Sequence, residues 1–127
     1  ELIATGVFDA FGRIASALGN TSEARRQFRE GLAFQKEGRD AHFVPSLLEG
    51  LAGEINPHDA TRLLGAASSL REKTNLPLME VEQDEYESIV IRLKTQVDAS
   101  DFQSLWTEGS VMTADEAILF ALERGGP

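Results

Sequence analysis

The chain has 127 residues, 42% of them hydrophobic, enough for one domain with an ordinary core. Its formal net charge of −9 argues against a direct grip on nucleic acid, whose binders carry a basic patch or stripe for the phosphates. The absence of cysteine rules out a disulfide framework and thiolate metal sites and agrees with a reducing, cytoplasmic setting, and no apolar run approaches the ~20 residues that span a bilayer.

The chain opens "ELIATGVFDAFG", without Met and already in helical period, so it is expected to be a piece of something longer, with any targeting signal outside it. Val7, Phe8, Phe11, Ile14, Ala15 and Leu18 fall on one face at 3.6-residue spacing and predict the buried stripe of a first helix, closed by Gly19-Asn20. Asn20 with Glu23 has the spacing of a capping box and opens a second helix carrying Ala24, Phe28, Gly31 and Leu32. Gly38-Arg39-Asp40 breaks the pattern. A third helix carries Phe43, Val44, Leu47, Leu48 and Leu51; Asn56-Pro57 then caps a fourth with Ala60, Leu63, Leu64, Ala67 and Leu70. Beyond Asn75-Leu76-Pro77, Tyr86, Ile89, Val90, Leu93 and Val97 mark a fifth helix. Ser100 with Gln103 opens a sixth holding Phe102, Leu105 and Trp106, and Thr113 with Glu116 opens a seventh holding Ala117, Ile118, Ala121 and Leu122. No segment alternates with period two, so no sheet is expected and the fold class is all-α.

Displacing the sequence by 36 residues lays Phe8 on Val44, Phe11 on Leu47, Ala15 on Leu51, Asn20 on Asn56, Ala24 on Ala60, Phe28 on Leu64 and Gly31 on Ala67. An internal repeat of this period marks a helical solenoid. Small residues at Ala15, Ala24, Gly31, Ala60 and Ala67 allow close approach of helices, and the run Gly65-Ala66-Ala67-Ser68, framed by Leu63, Leu64 and Leu70, predicts a further close-approach surface. The spacing in "FGRIASALGNTSEARRQFREGLAF" resembles one tetratricopeptide repeat, and the second copy a looser one, with Leu48 and Ile55 where glycine is preferred. That resemblance implies a right-handed α-solenoid of antiparallel helix pairs: repeat 1 over residues 1–37, repeat 2 over 40–75, and a three-helix C-terminal cap over 78–124, forming a single domain.

From about Leu47 to Leu122 the motifs Leu64-Gly65-Ala66-Ala67, Leu70-Arg71-Glu72, Leu76-Pro77-Leu78, Tyr86-Glu87, Phe102, Trp106 with Glu108-Gly109, and Glu116-Ala117 occur in one order. In that order they resemble the C-terminal region of bacterial multidomain regulators. Those proteins join a STAND-type ATPase module to tetratricopeptide-like repeats, often with a LuxR-type DNA-binding domain or a nucleotide cyclase domain. Met79, Val97-Asp98-Ala99 and Ser110 depart from that pattern, where the family often has a proline, a Leu-Gly-Glu turn and a basic residue. The resemblance implies a non-catalytic interaction or signal-sensing arm, whose partner is a protein, a peptide or the ATPase module of its own parent chain. A stand-alone peptide-binding adaptor, and a part of an enzyme whose catalytic domain lies elsewhere, are the alternatives.

Candidate chemistry is sparse. The acidic run Glu80, Glu82, Asp84, Glu85 and Glu87 lacks a calcium-loop pattern and suits the start of a solvated helix. His42 and His58 stand apart from other metal-ligand types, and no phosphate loop or nucleophile elbow occurs, so neither cofactor nor metal is expected. Arg25, Arg26 and Arg29 are expected to be exposed residues balanced by Glu23 and Glu30, and Trp106 with Phe102 to be core. By the repeat resemblance, Asp9, Arg13, Ser16 and Glu49 should point into the concave side. With little basic charge among them, a neutral or cationic partner is expected there. Leu2, Ile3 and Val7 of the first helix should have no cover at the N-terminal end, which predicts a homodimer through that helix.

Overall fold

A computed structural model describes the backbone of residues 2–37 and 42–125, with side chains from Thr5 to Gln35 and from His42 to Gly125. Seven helices and no strand occur among these residues: α1 Leu2–Ala17, α2 Thr21–Glu37, α3 Val44–Ala52, α4 Pro57–Thr74, α5 Glu80–Gln96, α6 Ala99–Ser110 and α7 Ala114–Arg124. The fold is all-α, as the periodicity requires. The break expected at Gly38-Arg39-Asp40 lies outside the described residues.

Local chemistry sets most of the boundaries. Gly19, at φ +78°, turns the chain out of α1, and the Asn20 side chain accepts the Glu23 N–H at 3.2 Å to begin α2. Asn56 does the same for α4, accepting the Asp59 N–H at 3.0 Å ahead of Pro57. Asn75 ends α4 in the left-handed conformation, φ 56°, and the Leu76 N–H returns to the Arg71 carbonyl at 3.0 Å. Thr113 and Glu116 exchange both bonds of a capping box, at 3.1 and 2.9 Å. The start of α6 differs from expectation. Asp98, not Ser100, is the residue before the helix, and Ser100 lies in the first turn, where its hydroxyl donates to the Asp98 carboxylate at 3.0 Å.

In the two repeats α1 lies along α2 and α3 along α4, and α3 also rests on α1 and α2. Phe28, 1% exposed, wedges the pairs together. A methyl group added at Gly12 or at Gly50 would come within 2.5 Å of its ring, so both glycines are required by the same side chain. The core continues through Leu32, Leu47, Leu48, Leu51, Leu63, Leu64, Ala117, Ile118 and Ala121. No described helix is long and apolar enough to cross a membrane.

The small-residue run in α4 is a close-approach surface, as the sequence implies, and its occupant is α6. A Cβ on Gly65 would lie 2.2 Å from the Trp106 carbonyl oxygen, and one on Gly109 would lie 1.9 Å from that of Arg62. The two helices therefore touch backbone to backbone, while Ala66 and Ala67 are wholly buried. The last three helices take separate places. α6 covers α4; α7 lies on α2, α3 and α4, with the Leu122 carbonyl accepting from Arg29 at 3.1 Å; α5 reaches back across α1 and α3.

The stripe expected on the first helix is only partly buried. Ala15 is enclosed, but Val7, Phe11, Ile14 and Leu18 are 43%, 52%, 56% and 79% exposed. Thr5, Gly12 and Ala15 form the enclosed side of α1, and the opposite side is exposed among the described residues. The helical period marked the face without revealing that half of it stays exposed among the described residues.

Candidate functional site

Helical spacing sets Asp9, Arg13 and Ser16 on one face of α1, and Ser46 and Glu49 along the facing side of α3, with Gly53 just past its end. The structure brings all four expected concave-face residues to this side. It does not leave them free. Arg13 donates to the Ser46 carbonyl at 2.9 Å and to its hydroxyl at 3.1 Å, and its Nε stands 3.6 Å from Asp9. The Ser16 hydroxyl donates to Glu54 at 2.7 Å. Glu49, 3% exposed, is held in a bidentate pair by Arg71 of α4, with both contacts at 2.7 Å. Arg71 is fixed in turn by the carbonyls of Leu76 and Pro77, at 3.0 and 3.2 Å, so the turn after α4 clamps the guanidinium over the groove floor.

α5 closes the groove from above. Glu85 pairs with Arg13; Glu82 lies 3.2 Å from the Ser46 hydroxyl and 4.0 Å from Arg71; Arg92 donates to the Gly53 carbonyl at 3.3 Å. Ile89 and Leu93 are the buried apolar anchors of α5, Ile89 packing above Gly53. The acidic run is therefore not wholly a solvated helix start. Glu80, Asp84 and Glu87 are exposed, whereas Glu82 caps the Met79 N–H at 3.0 Å and joins the groove network with Glu85.

Burial governs the electrostatics of this network. It pushes the Asp9 carboxyl above its ordinary range in spite of Arg13, and the Glu49 carboxyl above its own in spite of Arg71. Burial and then the charge of Glu49 raise the Tyr86 phenol. Beside Arg71 lies a cavity of about 320 Å³ bordered by Glu49, Ser68, Asn75, Pro77 and Tyr86. Another, of about 330 Å³, lies between α1, α3 and α5, bordered by Ser16, Gly50, Glu54, Ser88 and Arg92.

The remaining candidates separate. His42 and His58 are exposed at the starts of α3 and α4, and among the described residues no three His, Asp or Glu side chains are grouped to hold a metal ion. Arg26 is exposed and paired with Glu23 and Glu30 at 2.6 and 3.1 Å, as expected. Arg25 and Arg29 turn away to the Glu54 and Leu122 carbonyls, so the three arginines make no common patch. Phe102 and Trp106 stack at 5.7 Å against the core. Arg71, Glu82, Glu85 and Tyr86 lie outside α1 and α3 and escape a reading of those two helices alone. Their signals were Arg71 and Tyr86 within ordered motifs, and a three-residue spacing of Glu82 and Glu85 that sets both on one side of α5.

No model of a known protein family matches the chain, and no solved structure matches it significantly. Curated relatives do match. The chain is similar to proteins named "Putative HTH-type transcriptional regulator" in Mycobacterium tuberculosis and Mycobacterium bovis, 36% identical over 117 residues. The match takes in 89% of this chain and 13% of each relative, so the chain spans about an eighth of their length.

Proposed function

We propose that this chain is a non-catalytic interaction arm of a larger cytoplasmic transcriptional regulator. In this reading the groove between α1 and α3 exchanges α5 for a partner or for another part of the regulator, such as an ATPase module. The observation that carries it is the filling of the groove: of the side chains that the repeat resemblance points into the concave side, Arg13 is paired with Glu85 of α5, and Glu82 and Arg92 of α5 reach the groove wall at Ser46 and the Gly53 carbonyl. Contacts of this kind, made by long and partly exposed side chains, contribute about 0–1 kcal/mol each, so a competitor can replace them. The similarity to a segment of transcriptional regulators supports the regulatory setting.

What α5 presents defines the competitor. Arg71 of α4 joins Arg13, and both face carboxylates of α5, which favours an acidic amphipathic helix over the neutral or cationic partner expected from α1 and α3 alone. The test uses Glu82→Lys combined with Glu85→Lys to release α5, and a labelled peptide of the Glu80–Gln96 sequence as probe. The released chain should bind the peptide at least about tenfold more tightly than the parent does, a difference of about 1.4 kcal/mol, with affinity falling as salt rises. Absence of binding to the released chain would remove the groove from consideration. Reporter transcription left unchanged by the same pair in a full-length regulator would remove the regulatory role.

A further inference from the structure

We propose that Asp9, Ser46 and Glu82 form a proton-operated latch that fastens α5 over the groove, so that acidification closes it. The proposal rests on the reading of α5 as the exchangeable cover of the groove and adds what regulates the exchange. The Ser46 Oγ, on a residue only 6% exposed, lies 3.1 and 3.2 Å from the two carboxyl oxygens of Asp9, 3.2 Å from Glu82 and 3.1 Å from the Arg13 guanidinium. A hydroxyl has one proton to donate and two lone pairs with which to accept. The Arg13 N–H takes one of those lone pairs. With Asp9 and Glu82 both ionised, a single hydroxyl proton faces two acceptors, one carboxylate is left without a donor at Ser46, and like charges adjoin. With a proton on Asp9 every group is satisfied. Asp9 then donates to the Ser46 Oγ, and Ser46 donates to Glu82.

Neither carboxyl finds a substitute for this contact among the described residues. The Arg13 Nε stands 3.6 Å from Asp9 and Arg71 4.0 Å from Glu82, both longer than a good hydrogen bond. The other oxygen of Glu82 is already engaged in capping the Met79 N–H. The surrounding charge acts in the same direction. Arg13 also binds Glu85 and Arg71 also binds Glu49, so four carboxyl groups share two guanidinium groups. His42 borders the same space, lining a cavity of about 180 Å³ with Ser46, Arg71 and Glu82, and Tyr86 stays uncharged, its phenol raised by burial and by Glu49. Burial first, and then the charge of Glu82, raise the Asp9 carboxyl against the opposing effects of Arg13 and Ser46.

Seating α5 therefore takes up a proton. With α5 away, Asp9 has the Ser46 hydroxyl to itself; with α5 seated, Glu82 competes for that donor. Linkage then requires closure to strengthen as pH falls through the raised value of Asp9 and to level off below its value in the open groove.

Amide hydrogen exchange of the intact chain tests the latch without any partner, between about pH 7 and about pH 5, an interval above the ordinary carboxylate range of about 4. Protection of α5 relative to α6 should rise at least about threefold on acidification, toward the roughly tenfold per pH unit of one linked proton. Asp9→Asn, whose amide donates to the Ser46 Oγ at every pH, should hold α5 at the parent's acid level of protection throughout. Ser46→Ala removes the shared hydroxyl and should leave α5 weakly protected at both ends of the interval. His42→Gln should keep the parent's rise. A parent ratio that does not change with pH, a rise that persists in Asp9→Asn, or a rise lost in His42→Gln would overturn the proposal. Should Asp9→Asn lose helix by circular dichroism, Ser46→Ala decides in its place, and persistence of the rise there overturns the latch. Failure of the Glu80–Gln96 peptide to bind the released chain would count against exchange with a partner and leave this result standing.

Discussion

α6 meets α4 through the backbones at Gly65 and Gly109, with Arg62 and Glu108 paired at 2.8 Å on the rim, whereas α5 meets α1 and α3 through charged side chains around two buried apolar anchors. Both helices follow the same break at Pro77, and their periodicity alone would assign them the same part in a terminal cap. The first contact leaves no space between main chains, and dispersion falls steeply once such surfaces separate. The second depends on long side chains in partial contact with water, where charge attraction is weak and screened by salt. One helix is thereby fixed to the repeat through its main chain, and the other is held largely by contacts that salt screens.

The largest test of this contrast is Gly65→Ala or Gly109→Ala. The added methyl group meets backbone rather than a movable side chain, so each is expected to cost about 3 kcal/mol, at the upper end of overpacking effects, and to lower the urea midpoint of the whole chain. An unchanged midpoint would mean that α6 can part from α4 as easily as α5 can from the groove. Ala67→Leu, at a wholly buried position of the same helix, should cost about 1–3 kcal/mol by the same measurement.

Smaller effects are expected above the groove. Glu85→Ala removes the pair with Arg13 at its exposed end and should lower global stability by less than about 1 kcal/mol. Amide hydrogen exchange should nevertheless quicken in α5 and not in α6, and added salt should do the same to the parent chain. Equal protection of the two helices in the variant would contradict the division drawn between them.

Titration sharpens the contrast between groove and surface. Burial raises Asp9 and Glu49 above their ordinary 3.8 and 4.5, so the folded chain binds more protons than the unfolded chain in the interval above those values. Their contribution to stability therefore increases as pH falls through the raised values and levels off below the ordinary ones. Glu23 behaves oppositely. Hydrogen bonds from Arg26 and then Gln27 lower it from 4.5 to about 2, so its contribution is present above 4.5 and is lost as pH falls toward 2. Glu49→Gln should remove its share of the gain on acidification and leave that of Asp9, and Glu23→Gln should remove part of the loss below 4.5. Urea midpoints measured across pH distinguish the two, and a Glu49→Gln curve parallel to the parent's would count against a buried, ionised Glu49.

What the sequence determined by itself is the set of helices and their repetition, because these rest on contacts a few residues apart. Asn56 ahead of Pro57, Asn75 ahead of Pro77, and Thr113 with Glu116 each satisfy a helix end from within one turn, and the 36-residue register follows from side-chain size alone. Small residues at Gly65 to Ala67 likewise announced a close approach. Tertiary structure alone decided which helix makes that approach, which half of the apolar surface of α1 is enclosed, and that Glu82 and Glu85 reach Arg13, Ser46 and Arg71. Periodicity shows that a face can be buried; what covers it depends on how segments 36 or more residues apart fill the same space, and no local pattern carries that information.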